Sequence, residues 1–422
     1  MNGGRAIFDR AETTILRFYD STTRIHESRR FPDSRITVDH KNRFPMRYYL
    51  ITLLLASFLA APARAQIVAD PPSSADLLAA PDAVETYSEA ITQSRRVIRN
   101  LMAAESIPGL TVAVMIKSEI VWSEGFGFAD LEQRVPVTPV TKMRIGSVSK
   151  PITSAAVGLL MESGALDLDA PVQQYVPSFP VKRFPITTRL VAGHLAGIRH
   201  YRGNEMESAA YYPTVESGLD IFRDDTLLSA PGDHFSYSSY GWNLVSAVVE
   251  GASGEPFLDF MQREVFDALG LRHTTAEHMD SLIAFRTRYY QKAENGRVYN
   301  APYVDNSYKW AGGGFISTAE DVVSFGDGIL HNRLLRESTV DELFRSQRTN
   351  DGELTNYGIG WISGTDPQGR PVVGHTGGSV GGTTLFTIYL EEDLIVCVVS
   401  NLSNTRYGGL DKTIANFFLE SR

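Results

Sequence analysis

The sequence predicts a mixed α/β protein of the α+β kind: one antiparallel sheet built from both chain ends, with a mainly helical lobe inserted between them. Two strand-like runs, residues 110–117 and 120–128, follow a helical stretch near the beginning. Two more, residues 384–390 and 394–400, precede a final helical stretch and are joined by the acidic turn Glu391-Glu392-Asp393. The middle, about residues 165–303, carries helix-like and loop-like segments instead.

Each element has a local reason. The first helix is expected over residues 84–105, and Ile107-Pro108-Gly109 punctuates it. In the first strand Val112, Val114 and Ile116 alternate with Thr111, Ala113 and Met115, the weak period-2 pattern of a sheet covered on both faces. A helix is expected after Ser147, because Ile152, Ala155, Ala156, Leu159 and Leu160 share one face and Gly164 is a natural stop. The last helix places Leu410, Ile414, Phe417 and Phe418 on one face. The expected division is a leader over residues 1–65, a linker over 66–80, and one domain over 81–422. Within it the sheet lobe comprises about 81–164 and 304–422, and the helical lobe about 165–303.

The leader carries an address. Met46-Arg47 opens a short basic start, residues 48–61 are apolar except Thr52 and Ser57, and Ala63-Arg64-Ala65 supplies a small-x-small cleavage pattern. The expectation is an exported protein, periplasmic or secreted, cleaved after Ala65 so that Gln66 begins the mature chain. An uncleaved signal anchor is the alternative, and the only route by which a membrane enters the reading. Residues 1–45 read as a mis-assigned extension, with Met46 the true start.

Composition bounds the partners. The 422 residues carry a net charge of −9 and no basic stripe, which excludes nucleic acid. Without residues 1–65 the remainder holds 29 Lys and Arg against 43 Asp and Glu, a net of −14. So acidic a domain does not coat anionic membranes. Cys397, the one cysteine, allows no internal disulfide and sits in an apolar run, as an inert buried strand residue would.

The chemistry concentrates in three places. Ser147 and Lys150, in Gly146-Ser147-Val148-Ser149-Lys150-Pro151, stand three apart at an expected helix start, hence about one turn from each other on one face. Orphan N–H groups there favour developing negative charge. A serine hydroxyl needs a neighbouring base, and a lysine serves as one only if burial or nearby positive charge lowers its pKa. Phe235-Ser236-Tyr237-Ser238-Ser239 and Gly374-His375-Thr376-Gly377-Gly378 are the other two, the latter expected just before a strand.

In this order the three motifs resemble those of the serine β-lactamase-like family, which includes class C β-lactamases, D-alanyl-D-alanine carboxypeptidases and related esterases. Residues 194–198 and 310–321 add to the likeness, which runs from about residue 84 to the C-terminus. The motifs are most similar to the mitochondrial serine β-lactamase-like branch. The resemblance implies a five-stranded antiparallel sheet covered by helices, with a helical second lobe. It implies Ser147 as the acylated nucleophile, Lys150 as its base, and Tyr237 as a second acid/base. Backbone N–H groups of Ser147 and Gly378 would form the oxyanion hole. Ser239, His375, Thr376 and Gly377 would contact or support the substrate, His375 at the family's cationic position. Two departures stand out. Ser239 replaces an asparagine, and its hydroxyl cannot span both Lys150 and a substrate amide. His375 replaces a lysine, and its charge depends on pH.

The expected function is a serine hydrolase that acts on an ester, amide, peptide or lactam carbonyl through an acyl-enzyme. The alternatives are a penicillin-binding-type acylated binder with little turnover, or a filament-forming scaffold that has kept the fold. Expected partners are a small-molecule or peptide substrate and, possible from the family, further copies of the chain. No cofactor and no metal are expected: His194 with His200, and His273 with His278, lack metal-ligand spacing and read as structural or surface residues. Gly377-Gly378-Ser379-Val380-Gly381 matches the Gly-x-Ser-x-Gly elbow, but a strand rather than a helix is expected after it. The Gly312-Gly313-Gly314 run lacks a phosphate-loop ending and reads as close backbone approach beside the cleft.

Overall fold

The structure, a computed structural model, describes residues 86–421. The expected leader, cleavage site and linker, and the first residues of the expected opening helix, lie outside the described residues.

The first helix, α1 (Ser88–Glu105), ends at Ser106 in the left-handed conformation and leads into β1 (Gly109–Ile116) and β2 (Glu119–Asp130). Short strands β3 (Val135–Pro136) and β4 (Met143–Arg144) follow, then a 3-10 turn at Gly146–Val148 that runs into α2 (Ser149–Glu162). The middle of the chain holds α3 (Thr188–Ala192), α4 (Val215–Leu219), α5 (Ser239–Ser253) and α6 (Phe257–Phe260). It continues with strands β5 (Thr275–Ala276), β6 (Tyr290–Lys292) and β7 (Val298–Asn300). The chain returns through α7 (Trp310–Gly313), β8 (Phe315–Ser317), α8 (Ala319–Leu330) and α9 (Glu337–Phe344). Strands β9 (Ile362–Thr365), β10 (Pro371–Ser379), β11 (Gly382–Tyr389) and β12 (Leu394–Ser400) and the helix α10 (Leu410–Glu420) complete it.

The main sheet is antiparallel, in the order β3-β2-β1-β12-β11-β10-β9. Its middle pairs β1 with β12, so both chain ends do build one sheet. Seven strands stand where five were expected. Four of the five long ones (β1, β2, β11 and β12) match the strand runs read from the sequence, β10 is the fifth, and β3 and β9 extend the two edges. An edge position tolerates Pro136, which has no N–H to give a ladder. The middle segment, expected to be mainly helical, also gives β5 to a three-stranded sheet with β4 and β8, and forms the β6–β7 hairpin.

Both faces of the sheet are buried. Leu110, Val112 and Val114 of β1 and Val396 and Val398 of β12 pack with Ile91 and Ile98 of α1 and Ile414 and Phe418 of α10. The opposite faces of the same strands, Ala113, Met115, Ile395, Cys397 and Val399, join a core with Ile152 and Ala156 of α2 and Val322 and Phe325 of α8. Each Val, Leu, Ile, Met or Phe side chain among them contributes about 1.5–3 kcal/mol on burial. Two covered faces explain why β1 shows so little polar alternation. Burial pushes the Cys397 thiol well up, which leaves it inert.

Two motifs are placed differently from expectation, or decided, by this topology. His375 to Gly378 lie within β10 rather than before a strand. Ser379 ends β10, and the chain turns at Val380-Gly381 into β11. That is strand, turn, strand, so no nucleophile elbow forms at Ser379.

Candidate active site

The site lies where the main sheet loses an edge strand. β10 pairs with β9 only from Pro371 to Gly374, and beyond that its edge meets the turn carrying Ser147. Gly146 sits at φ +53°, and a Cβ there would lie 2.6 Å from the Gly378 carbonyl oxygen. A Cβ on Gly377 would lie 2.0 Å from the Ile145 carbonyl oxygen. Only glycines let the two backbones approach this closely. The segments bearing the two expected oxyanion donors, Ser147 and Gly378, therefore adjoin.

A buried ion pair holds this junction from below. Arg144, at the end of β4, donates from Nε to Glu277 at 2.6 Å and from Nη1 to the Val380 carbonyl at 2.6 Å. Glu277 also accepts from Asn306 at 2.7 Å and from the Tyr289 hydroxyl at 2.6 Å. One guanidinium thus ties the β10–β11 turn to the strand that enters the Ser147 turn.

Ser147 Oγ and Lys150 Nζ lie 2.9 Å apart, and Nζ donates to the Gly312 carbonyl at 2.7 Å. The Ser239 hydroxyl is 3.4 Å from Nζ. Lys150 is fully buried, with no carboxylate among these contacts. Burial, then the charge of Lys309, pushes its ammonium well below the usual lysine range. The amine can therefore be neutral and accept the Ser147 proton. Gly312 does make the close approach expected of it, since a Cβ there would lie 3.1 Å from the Ser239 carbonyl oxygen.

Tyr237 brings its ring centroid 4.9 Å from Lys150 Nζ. Two histidines fix the turn it stands on. His194 Nδ1 accepts from the Ser238 N–H at 3.1 Å, and His200 Nδ1 accepts from the Ser239 N–H at 3.1 Å. Their rings lie 4.2 and 5.7 Å from the Tyr237 ring. Burial, then Lys150, pushes His200 down to about 3 and His194 well below its usual value, so both are neutral.

His375 departs from the cationic expectation. Nδ1 lies 2.5 Å from the Thr376 carbonyl, which can only accept, so Nδ1 carries the hydrogen. Nε2 then accepts from the Tyr357 hydroxyl, 2.9 Å away. Both nitrogens are occupied, and burial, then Lys150, pushes the ring down to about 3. His375 is a neutral, saturated residue whose ring stands 6.3 Å from that of Tyr237. Thr376 is half-buried and contributes its carbonyl to this ring.

The structure thus gathers Ser147, Lys150, Tyr237 and Ser239, with Gly377 and Gly378 alongside, and sets His375 behind them. His194 and His200 hold a turn, a structural role of the kind expected of them, whereas sequence reasoning missed Tyr357 and Lys309. His194 falls in a stretch already noted for its likeness to the family, and His200 lies just beyond it. The other two had no local signal. Among the described residues no group of three or more His, Cys, Asp or Glu is arranged to hold a metal ion.

Comparison with known proteins agrees with this geometry. The Beta-lactamase family model matches residues 95–417. The mouse (Mus musculus) "Serine beta-lactamase-like protein LACTB, mitochondrial" is 31% identical, over 81% of this chain and 82% of that protein. "Penicillin-binding protein 4*" of Bacillus subtilis is 24% identical, over 69% of this chain and 67% of its own. The octameric penicillin-binding protein homologue from Pyrococcus abyssi superposes with a TM-score of 0.69 at 24% identity, over 78% of this chain and 77% of that one, a likeness of fold. Since the matched residues run from within α1 to within α10, through every strand that frames Ser147, the chain belongs to the beta-lactamase family.

Proposed function

We propose that the chain is a serine hydrolase that forms an acyl-enzyme on Ser147. The observation that carries the reading is the 2.9 Å approach of Ser147 Oγ to a buried Lys150 Nζ. The neutral amine takes the hydroxyl proton as Oγ attacks a carbonyl carbon, and the oxyanion is received by the N–H groups of Ser147 and Gly378. As the tetrahedral centre collapses, Tyr237 delivers a proton to the leaving oxygen or nitrogen. The Lys150 ammonium returns its proton to Tyr237 and is neutral again when water attacks the acyl carbon. The amine takes the water proton and passes it to Ser147 Oγ as that oxygen departs.

The substrates we propose are esters and peptide-like amides ahead of β-lactams. The shorter Ser239 and the saturated His375 support that order, since neither supplies the contacts expected of an asparagine and a lysine there. Intact mass of the mature domain mixed with a chromogenic short-chain ester, and separately with a penicillin, tests it. Transient acylation with product release, absent in Ser147→Ala, is the expected result. A stable adduct without release would favour an acylated binder, and no adduct would sink acyl transfer. The proposal extends to export, supported by the apolar residues 48–61 and Ala63-Arg64-Ala65. A mature N-terminus at Gln66 is expected, and a retained upstream segment would refute it.

A further inference from the structure

Arg144 carries the junction beside Gly378, and its three nitrogens are unequally served. Nε and Nη1 each donate to an oxygen at 2.6 Å, of Glu277 and of the Val380 carbonyl. Nη2 donates to the Met279 sulfur at 3.8 Å. A thioether is a weak acceptor, and the Arg144 side chain is 2% exposed, so bulk water cannot serve in its place. The Tyr289 ring, 3.8 Å from Cζ, covers a face of the guanidinium rather than its in-plane donors.

Met279 is placed for chemistry from outside. It is half-buried, between half-buried His278 and exposed Asp280, and the chain runs on to Leu282, which is 95% exposed. Met143 and Met261, by contrast, are fully buried. Oxidation turns a thioether into a polar acceptor wherever an oxidant can reach the sulfur. One Met279 lone pair faces Nη2, and the second is left for the oxidant. With an angle of about 120° at the new oxygen, Nη2 would donate to it at about 2.8 Å while sulfur and nitrogen stay 3.8 Å apart. Rotation about Cγ–Sδ, soft in methionine, brings the oxygen to that side.

We propose that Met279 is an oxidation site, where a peroxide converts the thioether into a sulfoxide that Arg144 then holds. The sulfur lone pair forms the S–O bond and the O–O bond breaks. The departing hydroxide takes the proton of the transferred oxygen and leaves as water. Sulfur loses two electrons, and the peroxide gains them. The guanidinium, then bound to three oxygens, fixes the Val380 carbonyl and the β10–β11 turn more firmly. A methionine sulfoxide reductase reverses the change. The proposal stands apart from the acyl-transfer reading, because melting reports it whether or not Ser147 turns over.

Hydrogen peroxide on the native full chain, followed by peptide mass, should add one oxygen at Met279 and leave Met143 and Met261 reduced. If Met279 also stays reduced, while the unfolded chain takes up oxygen there, the site is closed and the proposal fails. Two variants remove the need for an oxidant. Met279→Leu cannot be oxidised, and Met279→Gln places an amide oxygen where the sulfoxide oxygen would stand. Met279→Gln is expected to melt roughly 2 °C above Met279→Leu. Peroxide should raise the unmodified chain relative to Met279→Leu treated alongside it, and the reductase should undo that gain. Both gains should vanish in the Arg144→Met, Glu277→Leu background, where Nη2 is gone. A Met279→Gln chain that melts at or below Met279→Leu, or a gain that persists without Arg144, would overturn the proposal.

Discussion

The Gly312 carbonyl oxygen accepts a hydrogen bond of 2.7 Å from Lys150 Nζ, and this bond aims the amine at Ser147. A neutral lysine keeps two N–H donors and one lone pair. With one donor on Gly312 and the other turned to Ser239 at 3.4 Å, the lone pair is left for the hydroxyl 2.9 Å away. Burial lowers the basicity and the carbonyl sets the direction. Together they would make a base of a residue that would otherwise be a solvated cation.

Lys150→Met separates these effects. The substitution keeps the volume and removes the amine. Ester turnover is expected to fall by about 10²–10⁴, the range for loss of a general base. The melting temperature should hold or rise, because replacing a buried ionisable group with a well-packed apolar one is often neutral or stabilising. Kinetics on a neutral ester alongside thermal melts check both. A loss of activity matched by a large drop in stability would count against the assignment.

Gly377→Ala tests the junction of β10 with the Ser147 turn. The new Cβ would meet the Ile145 carbonyl oxygen at 2.0 Å, and backbone cannot swing aside as a side chain can. The strand must withdraw, and the Gly378 N–H goes with it. The expected result is a kcat lowered by about 10²–10³, as for a lost oxyanion donor, with a destabilisation of about 1–3 kcal/mol. Unchanged kcat would show that Gly378 does not serve the oxyanion.

Much of this site was legible because its decisive geometry is local. Ser147 and Lys150 need only a helix to meet, and the strand runs at the two chain ends announced a shared sheet. The edge strands β3 and β9 were not legible, since elements of two and four residues are decided by what they pair with. The middle strands failed for the same reason. His375 read as a titratable cation because its motif gives the residue type and not its partner, and Tyr357 lies 18 positions earlier in a segment with no pattern of its own. His194 and His200 were expected to be structural or surface residues, and they are structural: the Ser238 and Ser239 N–H groups lean on them, a partnership that sequence spacing does not show. Lys309 was invisible, because a lone lysine in a sequence is ordinarily a surface residue.

The buried histidines set the response to acid. His200 and His375 hold folded values of about 3 against 6.5 when unfolded. Between those limits the unfolded chain binds more protons, so stability rises with pH across the window. Below about 3 both states are protonated and the full penalty of burying the charge remains. Above 6.5 these rings contribute no further slope. Denaturant unfolding at a series of pH values is therefore expected to show uptake of about two protons from this pair in the middle of the window. His375→Asn should reduce that slope by about one proton, and an unchanged slope would mean that His375 is not held neutral.

Glu277→Gln probes the support under the junction. The Arg144 side chain is 2% exposed and that of Glu277 fully buried. Removing one charge strands the other in the interior, which costs about 3–5 kcal/mol. The amide introduced there would still reach Asn306 or Tyr289, so the deficit falls on the guanidinium, which also holds the Val380 carbonyl. Two effects should therefore appear together: a melting temperature lower by roughly 10 °C, and a reduced kcat as the β10–β11 turn loosens beside Gly378. Arg144→Met combined with Glu277→Leu distinguishes charge from position. It removes the stranded charge and should recover much of the stability, but the Val380 carbonyl then has no donor and kcat should stay low. Recovery of both would mean that the pair serves the fold alone and does not place the strand edge next to Ser147.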